Sequence, residues 1–186
     1  MKDNQSSVGV AGAARIFTIG HSTRTIEEFV AMLAANGVTL LADIRTVPRS
    51  RTNPQFNKDV LPLSLAQYQI GYIHMPGLGG LRKTSEDSVN KGWRNASFRG
   101  YADYMQTEEF ESSLGDLIDE AQQDIVAIMC AEAVPWRCHR SLVADALIVR
   151  GFETADIMSL TKAEPHRLTR FARTEGSKIT YPPLEE

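Results

Sequence analysis

Apolar residues fall along this chain in short blocks that alternate between two spacings. Ile16, Phe17, Thr18 and Ile19 form a continuous run that stops at Gly20, after which Ile26, Phe29, Val30 and Leu33 recur at helical intervals. Thr25 with Glu28 three residues on has the form of a capping box, and Asn36-Gly37 supplies a stop. The pattern therefore predicts a strand, a turn holding His21 and Ser22, and a helix. A second apolar run, Val38 to Ile44, carries Asp43 and Arg45 at its far end, just before Val47-Pro48. A third unit runs from Asn57 through Leu61, Leu65 and Tyr68 to Gly71, with Pro62 tolerable near a first helical turn. Tyr72 to Met75 then reads as a strand closed by Pro76-Gly77-Leu78-Gly79-Gly80.

The polar stretch from Arg82 to Asn95 reads as a long loop, a kind that is often functional. Helices are predicted from about Ser97 to Met105 and from Thr107 to Gln122, the second with Phe110, Leu114, Leu117, Ile118 and Ala121 on one face. A strand from Ile125 feeds a loop holding Cys130, Glu132, Pro135, Arg137 and Cys138. Leu142, Val143, Ala146, Leu147 and Arg150 then mark a helix ended by Gly151, with His139 and Arg140 in its first turn. Thr154 to Met158 fits a fifth strand, and the tail from Leu160 holds a predicted helix around Pro165 to Arg173. Alternation of this kind implies an α/β fold: one doubly wound, Rossmann-like domain with a mostly parallel sheet of about five strands and helices on both faces. Residues 1–14 read as a flexible leader, 15–160 as the domain, and 161–186 as an extension packed on it or partly flexible.

Composition narrows the function classes. The chain has 186 residues, 42% of them hydrophobic, which suits one well-buried core rather than two domains. Twenty basic against twenty-three acidic side chains leave a net charge of −3, so a surface built throughout for nucleic acid or an anionic membrane is not expected. No apolar run approaches a membrane span and the first residues lack the layout of a secretory signal, so a cytoplasmic location is expected. In such a reducing setting the two cysteines are expected to be free thiols.

In a parallel sheet the carboxyl ends of the strands share one edge, so His21 and Ser22, Asp43 and Arg45, Gly79-Gly80, and the segment Cys130 to Arg140 are expected to gather there. The acid-free segment from Arg45 to Lys58, with Arg49 and Arg51, would rim the same edge and make an anion-attracting pocket. Three functions compete for the cysteine segment. Cys138, at a helix start beside His139 and Arg140, has the setting of a thiolate nucleophile, whereas Cys130, ending an apolar strand, reads as an inert small hydrophobe. A zinc site of Cys130, Cys138 and His139, with Glu132 or His21 added, has suitable ligand types, but neighbouring Cys138 and His139 are not expected to point at one ion. A binding role for nucleotide or nucleic-acid phosphate, with no bond broken, is the third. A phosphatase-type loop is excluded, because the sixth residue after Cys130 is Trp136 rather than Arg, and Pro135 removes a backbone N–H such a cradle needs. No dinucleotide motif is present.

Several separated segments together resemble the domain of unknown function 488 family: Thr18-Ile19-Gly20-His21-Ser22, Asp43-Ile44-Arg45 with Pro48, Leu78-Gly79-Gly80, Gly100-Tyr101-Ala102 with Tyr104-Met105, and Met129-Cys130-Ala131-Glu132 with Pro135 and Cys138-His139-Arg140. The resemblance spans Ile16 to Met158 and implies a compact α/β domain with these residues clustered; it brings no reaction with it. The expectation is an enzyme, a hydrolase or transferase, acting on a phosphorylated or nucleotide-like compound. His21 or His139 would move protons, Glu132 and Asp43 act as acid, base or ligand orienter, Cys138 attack, and Ser22, Arg45, Gly79, Gly80 and Arg140 hold the anion.

Overall fold

The computed structural model describes residues 15–183, so the expected leader at 1–14 lies outside the described residues. The elements run β1 (Arg15–Gly20), α1 (Ile26–Ala35), β2 (Leu40–Asp43), α2 (Leu61–Ala66), β3 (Gly71–His74), α3 (Ala96–Tyr104), α4 (Glu108–Glu120), β4 (Val126–Cys130), α5 (Arg140–Val149) and β5 (Glu153–Ser159). Three short strands follow, β6 (Lys162–Pro165), β7 (Arg173–Glu175) and β8 (Lys178–Thr180). The main sheet has the order β3-β2-β4-β1-β5-β6; its first five strands are parallel and β6 is antiparallel to β5.

Period-two alternation along the strands divides the core into two layers. Phe17, Ile19, Leu41 and Met129 pack with Phe29, Val30 and Leu33 of α1 and Leu61 and Leu65 of α2. Their sequence neighbours Ile16, Leu40, Ala42 and Ile128 pack on the other face with Tyr101 of α3, Phe110, Leu114 and Leu117 of α4, and Leu142, Val143 and Leu147 of α5. This is the doubly wound arrangement expected. The Thr25–Glu28 capping box is formed in both directions, and Asn36 closes α1. The third unit is shorter than expected: a 3-10 turn at Pro54–Phe56 precedes α2, which Pro62 enters in its first turn.

The tail departs from expectation. The helix predicted around Pro165 to Arg173 is absent; the segment instead adds β6 to the sheet edge and then forms the β7–β8 hairpin. Pro165 disfavours helical backbone in the residue before it. His166 then fixes the chain by bonding both Asp145 of α5 and Asp156 of β5. Tyr181 is fully buried, its hydroxyl donating to Asp145 and its backbone N–H to Asn90. The long polar loop is likewise structural, with Ser85, Ser88 and Asn90 all donating to Asp103.

Topology fixes where a crevice must open. The chain leaves β1 toward α1 on one face, while the neighbouring β4 leaves toward α5 on the other, so the loops above these two strands diverge. Register brings Gly20 opposite Cys130 and Asp43 opposite Met129, which levels the three strand ends that carry the candidate residues.

Candidate functional site

A cavity of about 760 Å³ occupies this crevice. His21, Ser22, Arg45, Gly80, Cys130, Glu132, Cys138 and His139 all line it, from four different segments of the chain. Asp43, Gly79 and Arg140 do not reach it. The pairing of β1 with β4 continues beyond the strands, His21 N–H donating to the Cys130 carbonyl and Ser22 N–H to that of Ala131. Gly20 permits this approach: a Cβ there would lie 1.8 Å from the Glu132 carbonyl oxygen.

Arg45 is the hub of one wall. Its Nε and Nη2 donate to the two Asp43 carboxylate oxygens at 2.8 and 2.6 Å, and Nη2 also donates to the Phe56 carbonyl. Asp43, with no solvent exposure, further accepts from the Arg45 backbone N–H and the Tyr72 hydroxyl. Every oxygen of the carboxylate is thus engaged, so Asp43 orients Arg45 rather than serving as the acid or base expected of it. The remaining nitrogen, Nη1, faces His21 Nε2 at 3.3 Å. An arginine only donates, so Nε2 carries the lone pair and Nδ1 the proton, which goes to the Ser22 carbonyl at 2.8 Å. Burial first and the Arg45 charge next hold the His21 imidazole down at about 4, and its ring stacks on Phe56. With both ring nitrogens engaged, the neutral His21 ring braces Arg45 between the Ser22 carbonyl and Phe56.

Two expected anion contacts are also reassigned. Arg140 is 1% exposed and donates to the carbonyls of Glu132 and Ala133. These backbone oxygens offset its place at the start of α5, and the side chain ties the β4–α5 loop down. Gly79 gives its N–H to the Pro76 carbonyl, and a Cβ on it would meet Thr46 Oγ1 at 2.5 Å. A Cβ on Gly80 would stand 2.9 Å from His139 Nδ1. The two glycines make room for Thr46 and the His139 ring rather than forming a phosphate cradle.

The opposite wall is a cluster of sulfur and imidazole. His139 Nδ1 lies 3.7 Å from Cys138 Sγ and 4.0 Å from Cys130 Sγ, and the three atoms fall within 4.8 Å of one another. Nε2 of the same ring faces the Ile44 carbonyl at 3.3 Å, so it carries the proton and leaves the Nδ1 lone pair toward the sulfurs. Cys138 and His139, neighbours not expected to point at one ion, bring Sγ and Nδ1 to 3.7 Å. Consecutive side chains splay apart in regular structure, but Cys138 is extended (φ −134°, ψ 143°) and His139 already helical (φ −57°, ψ −18°). A 3-10 turn at Pro135–Arg137 first folds the chain back over the end of β4. Cys130 Sγ, at the end of an apolar strand, accordingly joins the cluster. Both cysteines are free and buried. Burial would raise the Cys138 thiol, but the Cys130 S–H and the charge and N–H groups of Arg140 bring it down to about 7. Cys130, giving its proton to Cys138, is pushed far up.

The family described as Domain of unknown function DUF488 matches residues 25–147. The chain belongs to that family. In this DUF488 protein the match runs from the cap of α1 into α5, so it includes the Arg45 wall and the sulfur cluster, while the Thr18–Ser22 segment precedes it. Neither a curated protein nor a solved structure matches the chain. No helix among the described residues is long and apolar enough to cross a membrane.

At the mouth of the DUF488 cavity stand Arg49 and Arg137, both exposed and neither in an ion pair among the described residues. The carboxylate at the rim is Glu132, also exposed. Thr46, Val47, Leu81 and Phe98 complete an apolar side that sequence patterning did not single out, with Val47 and Leu81 largely open to solvent. Only Leu81 had a local signal, its place after two glycines. It and Ser22 adopt left-handed backbone (φ 62° and 49°), a conformation non-glycine residues hold only under constraint.

Proposed function

We propose that this protein is an enzyme, a hydrolase or transferase, that takes a phosphorylated or nucleotide-like substrate into the cavity above β1, β2 and β4. Arg49 and Arg137 would receive the anionic group, Arg45 Nη1 would help hold it, and the side formed by Val47, Leu81 and Phe98 would take an apolar or planar portion. The observation that carries this reading is the meeting, in one cavity, of two exposed guanidinium groups with two thiols and an imidazole lone pair. A surface that only gripped phosphate would have no use for the sulfur wall. The two constrained backbones at Ser22 and Leu81 flank the same space, where such strain commonly accompanies a working site.

Titration calorimetry with pyrophosphate and with nucleoside mono- and diphosphates tests the reading. Saturable binding that weakens as salt is added is expected, since the rim charges are exposed and screened. Arg137→Ala and Arg49→Ala, both at solvent-exposed positions, should each weaken it about tenfold, roughly 1.4 kcal/mol. Phosphorus NMR of each ligand that binds then reports turnover. No saturable binding, or binding untouched in the double variant, refutes the pocket; binding without turnover of any ligand reduces the protein to a binding module.

A further inference from the structure

We propose that Cys130, Cys138 and His139 hold a single zinc ion whose fourth position opens into the cavity. A tetrahedral ion with Zn–S near 2.3 Å and Zn–N near 2.0 Å sets its sulfur and nitrogen ligands roughly 3.5 Å apart. The two Nδ1–Sγ separations, 3.7 and 4.0 Å, lie within about half an ångström of that spacing, and the two sulfurs are within 4.8 Å of each other. The ligand set is right for zinc: two soft sulfurs and one imidazole nitrogen.

The surroundings are those of a metal centre as well. A ligating histidine ordinarily gives its second ring N–H to a carbonyl or carboxylate, which fixes the tautomer and aims the free lone pair. His139 does this with the Ile44 carbonyl. Gly80 lies against the ring where any side chain would push Nδ1 out of line. Zinc binding displaces the thiol protons, and the divalent charge offsets the two thiolates that this creates. His21 is not a fourth ligand, because its Nε2 lone pair is taken by Arg45 Nη1. All three ligands line the cavity, so the vacant position faces the space where the anionic substrate is proposed to sit. Three protein ligands with an open site is the arrangement of catalytic rather than structural zinc.

The inference builds on the proposed function only for what the open position faces, and metal binding is measured without reference to turnover. The full chain, purified under reducing conditions without chelator, is analysed for metals, and the stripped protein is then titrated with cobalt. Expected are about one equivalent of zinc and the visible bands of a tetrahedral cobalt thiolate, bleached by added zinc. Cys138→Ser and His139→Ala should each lower zinc affinity at least tenfold, with the folded state of each checked by circular dichroism. Should a variant fail to fold, the wild-type thiols supply the measure: zinc should slow modification of both by a disulfide reagent. A fully reduced wild-type protein that takes up neither zinc nor cobalt, or whose thiols react equally with and without zinc, overturns the proposal. Pyrophosphate titration of the stripped protein separates the two ideas. Anion binding without zinc uptake ends the metal site alone, whereas zinc uptake without anion binding ends the pocket reading alone.

Discussion

The tail of the chain should be fastened by one proton. His166, 8% exposed at its side chain, bonds Asp156 Oδ2 through Nδ1 at 2.8 Å and Asp145 Oδ1 through Nε2 at 3.2 Å. Each carboxylate spends its other oxygen on a neutral donor, Thr18 for Asp156 and Tyr181 for Asp145, and the Thr169 N–H adds to Asp145. Burial opposes the charge on His166, but the hydrogen bonds and charges of the two aspartates outweigh it and raise the imidazole from 6.5 to about 9. At roughly 1.4 kcal/mol per unit, that rise corresponds to about 3 kcal/mol of folding free energy. The folded state binds the proton more tightly, so this stabilisation is fully present below about pH 6.5 and is lost as pH climbs through about 9. Urea unfolding at intervals from pH 6 to 10 should show the wild-type protein losing about 3 kcal/mol relative to His166→Gln, whose own curve lacks this component. Hydrogen exchange should show residues 164–181 opening first at the alkaline end. Parallel curves for wild type and variant across pH 6.5–9 would refute the reasoning.

Other outcomes follow from single contacts. Asp43→Asn leaves the Arg45 guanidinium buried beside a neutral partner and should cost about 3–5 kcal/mol in denaturant unfolding; a change below about 1 kcal/mol would contradict the assigned orienting role. Tyr72→Phe removes one of several donors to the same carboxylate and should cost only about 1 kcal/mol by the same assay. Gly20→Ala drives a Cβ into the backbone above β4 and should destabilise by about 3 kcal/mol or more, with the calorimetric midpoint as readout. Gly80→Ala presses on the His139 ring and should cost about 1–2 kcal/mol while displacing the ring resonances in NMR spectra, with the signals of β3 and α2 unmoved.

Element types were legible in the sequence because each strand and helix carries its own local signal: unbroken aliphatic runs in β1 and β4, the capping box of α1, and the helical spacing of Phe110, Leu114 and Leu117. The same signals, with parallel connection rules, placed the ends of β1, β2 and β4 on one edge, and so anticipated that His21, Arg45 and the Cys138 turn would meet. The tail was misjudged because Pro165 to Arg173 has a weak local pattern, and its path is set by His166 between two aspartates that lie 10 and 21 residues away. Chain order alone therefore determined the layers and the meeting point. Tertiary packing decided what each residue does there: Asp43 saturated by four donors, Arg140 spent on carbonyls, His21 kept neutral, and Cys138 and His139 turned toward Cys130. The reason is physical. Periodicity records which face is buried, whereas a polar side chain's chemistry depends on which donors and charges reach its atoms, and nearly all of these arrive from distant segments.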